Sequence, residues 1–156
     1  MKLAFLRVET KIPDWFSRAQ ELYLKKIKSF YPLEEIEIRS PQIQRKDQAQ
    51  KIEEEAKKIL AKIKPSDWVI LFDERGKTFT SLNFASELQL RMERSPSRIV
   101  FVIGGAFGVS DLVRERAQDT VSLSPMTMNH LVAQVMAYEQ VYRALTIQKN
   151  IPYHNE

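Results

Sequence analysis

Two short segments of this 156-residue chain combine residue types that can hold a small ligand through backbone groups and apolar faces. The first, Gly104–Gly108, directly follows an unbroken apolar run, Ile99–Ile103. The second, Leu123–Met128, follows a shorter β-type run and contains a proline. Glycine lets backbone approach a ligand with no side chain between them, and leucine and methionine supply apolar walls. We therefore expect the two segments to form one pocket.

Aromatic and ionisable residues near the end of the sequence form a second candidate set. Glu139, Tyr142 and Arg143 recur at three- and four-residue spacing, which places them on one face of a predicted helix. Tyr153 and His154 follow, in a closing segment that is rich in aromatic and polar residues. Two simpler interpretations stay open: an ordinary ion pair between Glu139 and Arg143, and a terminus without fixed structure.

Other site chemistries find little support in the sequence. The glycine segment lacks the Gly-Lys-Ser/Thr of a P-loop and the spacing of a dinucleotide fingerprint, so a tight turn without a ligand is its alternative interpretation. His130 could act as a base, but its place at the start of a helix favours capping or packing. No catalytic triad, paired-carboxylate or metal-ligand pattern stands out, and the chain has no cysteine.

Five predicted strands alternate with helices and position both segments. The predicted strands are Lys2–Val8, Leu33–Ile38, Trp68–Phe72, Ile99–Ile103 and Thr120–Leu123. The saturated run at Ile99–Ile103 is typical of a strand buried on both faces, whereas the alternation in Leu33–Ile38 favours a sheet edge. Ligands of open α/β sheets bind at the carboxyl ends of the strands, where both segments fall. The sequence thus predicts one α/β domain over residues 1–156, with a mostly parallel sheet in three layers.

Five helices are predicted. The first starts near Pro13 and ends at Tyr31-Pro32, and a short one follows the glycine segment. The other three are Gln48–Lys64, Ser81–Arg94 and Asn129–Lys149. Ser81 is the expected N-cap of the third, with Leu82 on its inner side. Predicted loops or turns are Ser40–Asp47, Asp73–Lys77 and Ser95–Ser97. The last helix is apolar over much more than one stripe, so we expect the core to bury one side and a second subunit the other.

Composition limits the class of protein but does not identify a binding partner. Residues 1–64 hold 15 Lys and Arg against 10 Asp and Glu, whereas residues 65–156 hold 9 against 10. This surplus permits contacts with nucleic acid, although a solvated surface is the favoured explanation of a net charge of +4. No segment approaches the ~20 apolar residues of a membrane span, and the absence of cysteine fits a cytoplasmic protein.

In four places the sequence resembles the ribosomal RNA large subunit methyltransferase H family of SPOUT methyltransferases. The matching segments are FVIGGAFG, LSPMTMNH, AYEQVYRA and the terminal PYHNE, and they agree in order and spacing over the whole chain. The resemblance implies a C-terminal trefoil knot that holds S-adenosyl-L-methionine, a homodimer, and methylation of N3 of pseudouridine 1915 in the large-subunit rRNA, without a metal. We expect the assembled ribosome, rather than free rRNA, to be the substrate.

The resemblance also implies roles for individual residues. The cofactor-binding residues would be Phe72, Gly104, Gly105, Leu123, Ser124, Pro125, Met126, Thr127 and Met128. The residues near the RNA base would be Tyr142, Arg143, Tyr153 and His154, in part donated by the second subunit. Asn129 and Asn155 depart from the family pattern, which usually has proline and arginine there. The arginine would supply a phosphate contact.

These roles lead to a mechanistic hypothesis with two rivals. Arg143 would stabilise the charge that develops when N3 loses its proton, His154 or water would take that proton, and Tyr153 would stack on or hydrogen-bond the base. One rival keeps the cofactor and changes the substrate, for example to a tRNA base or ribose. The other is a ribosome-binding or RNA-binding module without catalysis.

Overall fold

Five strands and five helices alternate along the chain in the computed structural model, which describes residues 1–9, 11–40, 47–94 and 96–155. The strands are β1 (Lys2–Glu9), β2 (Leu33–Arg39), β3 (Trp68–Thr78), β4 (Arg98–Ile103) and β5 (Asp119–Ser122). The helices are α1 (Asp14–Lys28), α2 (Gln48–Ala61), α3 (Ser81–Glu93), α4 (Asp111–Arg116) and α5 (His130–Gln148). Most of the predicted loop Ser40–Asp47, Ser95 of the predicted break before β4, and the closing Glu156 lie outside the described residues.

The strands form one sheet in the order β2-β1-β4-β3-β5, with every neighbouring pair parallel. All six residues of β4 are buried, which confirms the prediction that this run lies at the centre of a parallel sheet. β2 lies at an edge, as its alternating pattern predicted. Because the strands are parallel, all their carboxyl ends meet at one edge of the sheet and all their amino ends at the other.

Two helical layers cover the sheet, which confirms the predicted α/β/α architecture. Side chains alternate along β1, so Leu3 and Phe5 join one apolar cluster while Ala4 and Leu6 join the other. The first cluster contains residues of α1, α3 and α5, and the second contains residues of α2 and α4. The trefoil knot stays a prediction of the resemblance.

Helix α5 is covered mainly by its own chain. It packs on the sheet and against both α1 and α3, and Tyr138, Val141 and Leu145 are fully buried. The sheet and two neighbouring helices thus bury most of this helix, and the expectation that a second subunit covers part of it stays a prediction. At its amino end, however, Val132 remains 42% exposed.

Strand β3 is longer than predicted. Asp73–Lys77 was expected to be a turn, but the strand continues to Thr78 and pairs a second time with β5, through Lys77 with Val121 and Thr78 with Ser122. The ladder is irregular between Phe72 and Lys77. A Cβ atom at Gly76 would lie 2.6 Å from the backbone of Thr120, so this glycine permits close approach of two strands and does not form a turn.

Two local predictions about α3 also need correction. Thr80, and not Ser81, caps the helix, since its side chain accepts a hydrogen bond from the Asn83 N–H at 3.1 Å. Ser81 instead donates to Gln140 on α5 at 2.8 Å. Leu82 is 41% exposed and so does not face the interior, whereas Phe84, Ala85 and Leu88 do.

Candidate active site

A cavity opens at the carboxyl edge of the sheet, between the ends of β3 and β4. The connection from β3 passes through α3 on one face to β4, whereas the connection from β4 passes through α4 on the other face to β5. The two connections diverge, so a crevice opens between these strand ends. The cavity measures about 340 Å³, which lies within the range of small-ligand sites.

Both segments singled out in the sequence line this cavity. The predicted cofactor residues at its wall are Phe72, Gly104, Gly105, Leu123, Ser124, Met126, Thr127 and Met128. Pro125 is exposed and is not among the lining residues. Met126 is 76% exposed, so in the single chain it forms a rim of the opening more than a buried wall.

The glycines shape the loop for a different reason from the one expected. A Cβ atom at Gly104 would lie 2.5 Å from Cγ1 of Val109, and one at Gly105 would lie 3.1 Å from a carboxylate oxygen of Glu55. Both atoms would thus meet the protein and not a ligand. Gly108 has a φ of +85°, a conformation that glycine adopts without strain. Its N–H donates to the Gly105 carbonyl at 3.1 Å and closes the turn.

The second loop is held by short polar contacts of its own. The Ser122 hydroxyl donates to the Ser124 carbonyl at 3.0 Å, and the Ser124 hydroxyl accepts from the Met126 N–H at 3.0 Å. Asn129 caps α5, because its side-chain oxygen accepts from the Leu131 N–H at 2.8 Å. The cap places the first turn of α5, with His130 and Ala133, at the cavity wall.

His130 is a poor candidate for a charged group. Burial, together with the nearby positive charge of Lys51, lowers the pKa of its imidazole below the ordinary value. A neutral ring at neutral pH agrees with a packing role at the wall of the cavity. The capping role belongs to its neighbour Asn129.

Charged residues that sequence reasoning missed also line the cavity. Asp73, Glu74 and Arg75 continue β3 past Phe72. Arg114 of α4 donates to Asp73 at 2.7 Å and to Asp111 at 2.8 Å, and Asp73 is nearly buried. The hydrogen bond that Arg114 donates to Asp73 raises the pKa of this guanidinium and outweighs the effect of burial. Asp73 directly follows a buried strand, a position that predicts a residue at the carboxyl edge of the sheet. We missed it because the segment Asp73–Lys77 was assigned to a turn.

The four predicted RNA-binding residues lie together at the other end of α5. The rings of Tyr142 and Tyr153 meet edge-to-face with centroids 4.7 Å apart, and the Arg143 guanidinium lies over the Tyr153 ring at 4.8 Å. Nη1 of Arg143 is 3.1 Å from Nδ1 of His154. We call these four residues and Glu139 the tail cluster. The closing segment is thus ordered against α5 in the described residues, and the i,i+4 ion pair is only one part of a larger contact set.

A left-handed residue turns the chain back to make this cluster. Asn150 has a φ of +53°, the Ile151 N–H donates to the Thr146 carbonyl at 2.9 Å, and the Asn150 N–H donates to Ile147 at 3.1 Å. This pair of bonds is the Schellman ending of a helix. It directs residues 151–155 back along α5.

Glu139 organises the tail cluster. Its carboxylate accepts from Nη2 of Arg143 at 2.5 Å and from the Tyr153 hydroxyl at 3.0 Å. Burial and the hydrogen bond to this carboxylate raise the pKa of Tyr153 well above its usual range, so the phenol stays protonated. The same carboxylate raises the pKa of Arg143. The cluster therefore presents a fixed cation and two aromatic rings.

The pocket and the tail cluster do not meet within one chain. Helix α5 runs from the carboxyl edge, where His130 lines the cavity, to the amino edge, where it carries Arg143. Thirteen residues separate the two, which is roughly 20 Å along a helix.

These features define a class of protein: a parallel α/β fold with a cofactor-sized cavity at the point where its connections diverge. Within that class, the chain belongs to the SPOUT methyltransferase family, since the family profile described as "Predicted SPOUT methyltransferase" matches residues 1–154. The resemblance stated from sequence motifs is thereby confirmed.

Relatives agree with this assignment, and a solved structure shares the fold. The chain is 44% identical to the ribosomal RNA large subunit methyltransferase H of Bdellovibrio bacteriovorus over 155 residues, covering 99% of both chains. It is 36% identical to the protein of the same name from Parabacteroides distasonis, over the full length of both. A probable methylase family protein from Haemophilus influenzae Rd KW20 shares the fold, with a TM-score of 0.56 at 13% identity, over 99% of this chain and 70% of the other.

No helix in the described residues is both long enough and apolar enough to cross a bilayer. Within the same residues, no three histidine, cysteine or acidic side chains are grouped as a metal site would require.

Proposed function

We propose that this protein transfers a methyl group from S-adenosyl-L-methionine to N3 of pseudouridine 1915 in the 23S rRNA of the large ribosomal subunit, on assembled ribosomes in the cytoplasm. The observation that carries the proposal is the cavity at the diverging connections, built from both segments of a SPOUT methyltransferase. The names of the full-length relatives support an rRNA substrate.

The residues present fit this cofactor. Phe72, Leu123 and Met128 give the cavity an apolar side, and the backbone of the glycine loop and of residues 124–127 offers donors and acceptors for a purine edge. The four charged side chains of the lining, Asp73, Glu74, Arg75 and Arg114, balance one another, and Asp73 is paired with Arg114. When bound, S-adenosyl-L-methionine supplies the methyl group from its sulfonium centre.

The tail cluster supplies the groups that would act on the RNA base. Arg143 is a permanent cation and stabilises the negative charge that develops as the imide N3–H is lost. Tyr142 and Tyr153 offer ring faces and edges against which an unpaired base can stack. The Tyr153 hydroxyl is committed to Glu139 as a donor, so this phenol positions the cluster and does not take up a proton.

The geometry favours water over His154 as the proton acceptor. Arginine can only donate, so Nδ1 of His154 accepts from Arg143 and the imidazole proton lies on Nε2. In this tautomer the free side of the ring is a donor. His154 then orients Arg143 or the base, and solvent receives the proton.

The proposal requires a homodimer, because the two halves of the site lie at opposite edges of one chain. A second copy related by twofold symmetry can bring its tail cluster to the pocket of the first. Each of the two sites would then combine one protomer's pocket with Tyr142, Arg143, Tyr153 and His154 from its partner. The exposed Val132 and Met126 near the pocket lie on the surface that such a partner would cover.

Mass spectrometry of rRNA from cells with and without this protein tests the function directly. We expect the N3-methyl mark to disappear from the large-subunit rRNA without the protein, and to return with the wild type but not with Arg143→Ala. His154→Ala should retain partial activity if water takes the proton. An unchanged large-subunit rRNA would refute the proposal, a tRNA mark lost instead would establish the rival substrate, and failure to bind S-adenosyl-L-methionine would indicate a non-catalytic module.

A further inference from the structure

A surface of lysines over aromatic rings adjoins the tail cluster and shares Tyr142 with it, and the function described above gives its other residues no role. It is formed by the C-terminal turns of α1 and α5 and the residues that follow them. We call it the lysine–aromatic surface, and its members are Lys26, Phe30, Tyr31, Tyr142 and Lys149.

Each lysine of this surface lies over two rings. The Lys26 ammonium is 5.1 Å from the centroid of the Tyr142 ring and 5.8 Å from that of Tyr153. The Lys149 ammonium is 5.8 Å from the Phe30 centroid and 5.4 Å from the Tyr31 centroid. The Phe30 and Tyr142 rings are themselves 6.1 Å apart, so the two lysines belong to one continuous surface.

The charges of these two lysines are not neutralised by carboxylates. Lys28, in the same turn of α1, pairs with Glu35 at 2.8 Å. Among the described residues, by contrast, Lys26 and Lys149 contact rings and no acidic side chain. A ring contact orients an ammonium and leaves its outer side open to an anion. Stabilisation of the α1 dipole would explain a cation at Lys26, but it does not explain why rings and not carboxylates hold both lysines.

We propose that the lysine–aromatic surface binds the phosphates of the single-stranded RNA that flanks the target nucleotide. The inference rests on the proposed function, because a base held by Arg143 and Tyr153 leaves its own backbone on the neighbouring surface. Lys26 contacts the Tyr153 ring directly and so lies next to that base. The rings of this surface are partly buried, and cations beside rings that reach the surface are the pattern that binds single strands without reading their sequence.

Steady-state methylation at several salt concentrations tests the inference on the intact protein with ribosomal substrate. The variants are Lys26→Gln, Lys149→Gln and the double variant. Lys57→Gln is the matched control, since it removes one charge from an exposed lysine of α2, on the other face of the sheet. Lys26→Arg keeps the cation and should behave as the wild type.

We expect each surface variant to raise KM by about three- to tenfold at low salt, with kcat and the affinity for S-adenosyl-L-methionine unchanged. The dependence of log KM on log salt should become shallower by about 0.7 for each phosphate contact removed. Lys57→Gln should leave both quantities at their wild-type values.

Each of the following results would overturn the inference. An unchanged salt dependence would show that no phosphate is bound. A lower Tm with a loss of kcat in Lys26→Gln would assign this lysine to support of the tyrosines. A weaker dimer with unchanged KM would assign the surface to the subunit interface. A wild-type protein that methylates no rRNA would refute the proposed function and this inference with it, whereas normal wild-type activity with unaltered variants would refute only the inference.

Discussion

A heterodimer of two inactive variants tests whether the site is shared between subunits. Ala133 lines the pocket on the first turns of α5, and Arg143 lies ten residues further along the same helix, at roughly 15 Å. Ala133→Trp places a large side chain in the cavity of about 340 Å³ and should abolish cofactor binding. Arg143→Ala removes the cation and should lower kcat by about a hundredfold, the usual cost of one charge-stabilising group.

The expected activity follows from counting sites. If the pocket of one protomer works with the tail cluster of its partner, a heterodimer has one site with both defects and one with neither. It should therefore show about half of the wild-type activity per dimer. If each chain uses its own pocket and tail, one site has a defective pocket and the other a defective tail, and the heterodimer is as inactive as its parents.

The assay uses co-expression with two different affinity tags and purification over both. Each parent homodimer is measured alongside, together with a doubly tagged wild-type dimer. Calorimetry with S-adenosyl-L-methionine should give one binding site per heterodimer, because only one pocket remains open. A heterodimer that binds one cofactor and shows no methylation would refute the shared site.

Two further changes test the local reasoning. Asn150→Val forces a β-branched residue into the left-handed conformation at φ +53°, so we expect the free energy of unfolding in urea to fall by about 1–2 kcal/mol and kcat to fall as the tail detaches. Asn150→Gly should keep both quantities at their wild-type values. Equal stability of the two variants would contradict this account. Glu55 is buried against Gly105, and burial raises its pKa above the unfolded value despite a hydrogen bond from Ser40. The wild type therefore loses stability as pH rises through the folded-state pKa of Glu55. Glu55→Gln should be more stable than the wild type at neutral pH, with no such gain below pH ~4. A stability difference in urea that does not change with pH would contradict this reasoning.

Features that depend on neighbouring residues in the sequence could be predicted, and features that depend on distant backbone could not. The apolar run of β4 and the glycine and methionine segments after β4 and β5 predicted the central strand and most of the pocket wall. The extension of β3 was missed because Asp73–Lys77 has the composition of a turn. Its conformation is set by β5, which approaches Gly76 to within a distance that no side chain allows.

The tail cluster illustrates the same distinction. Helical spacing predicted that Glu139 and Arg143 would pair, and they do. The contacts of Tyr153 and His154 with that pair depend on one backbone conformation, the left-handed Asn150, which single-sequence patterns assign more readily to glycine. The Arg143–His154 contact, on which the proposed choice of proton acceptor rests, follows only from the folded tail.

Movement of the tail within one chain cannot replace a second subunit. Asn150 lies twenty residues beyond His130, which is about 30 Å along α5 and its C-cap. His154 is four residues further, and four fully extended residues span at most about 14 Å. The His154 backbone of a detached tail would therefore still lie about 16 Å short of His130. Tyr142 and Arg143 are fixed within the helix itself. A helix packed on both flanks by α1 and α3 cannot shorten. If the pocket and the tail cluster act on one base, as proposed, two chains must therefore supply them.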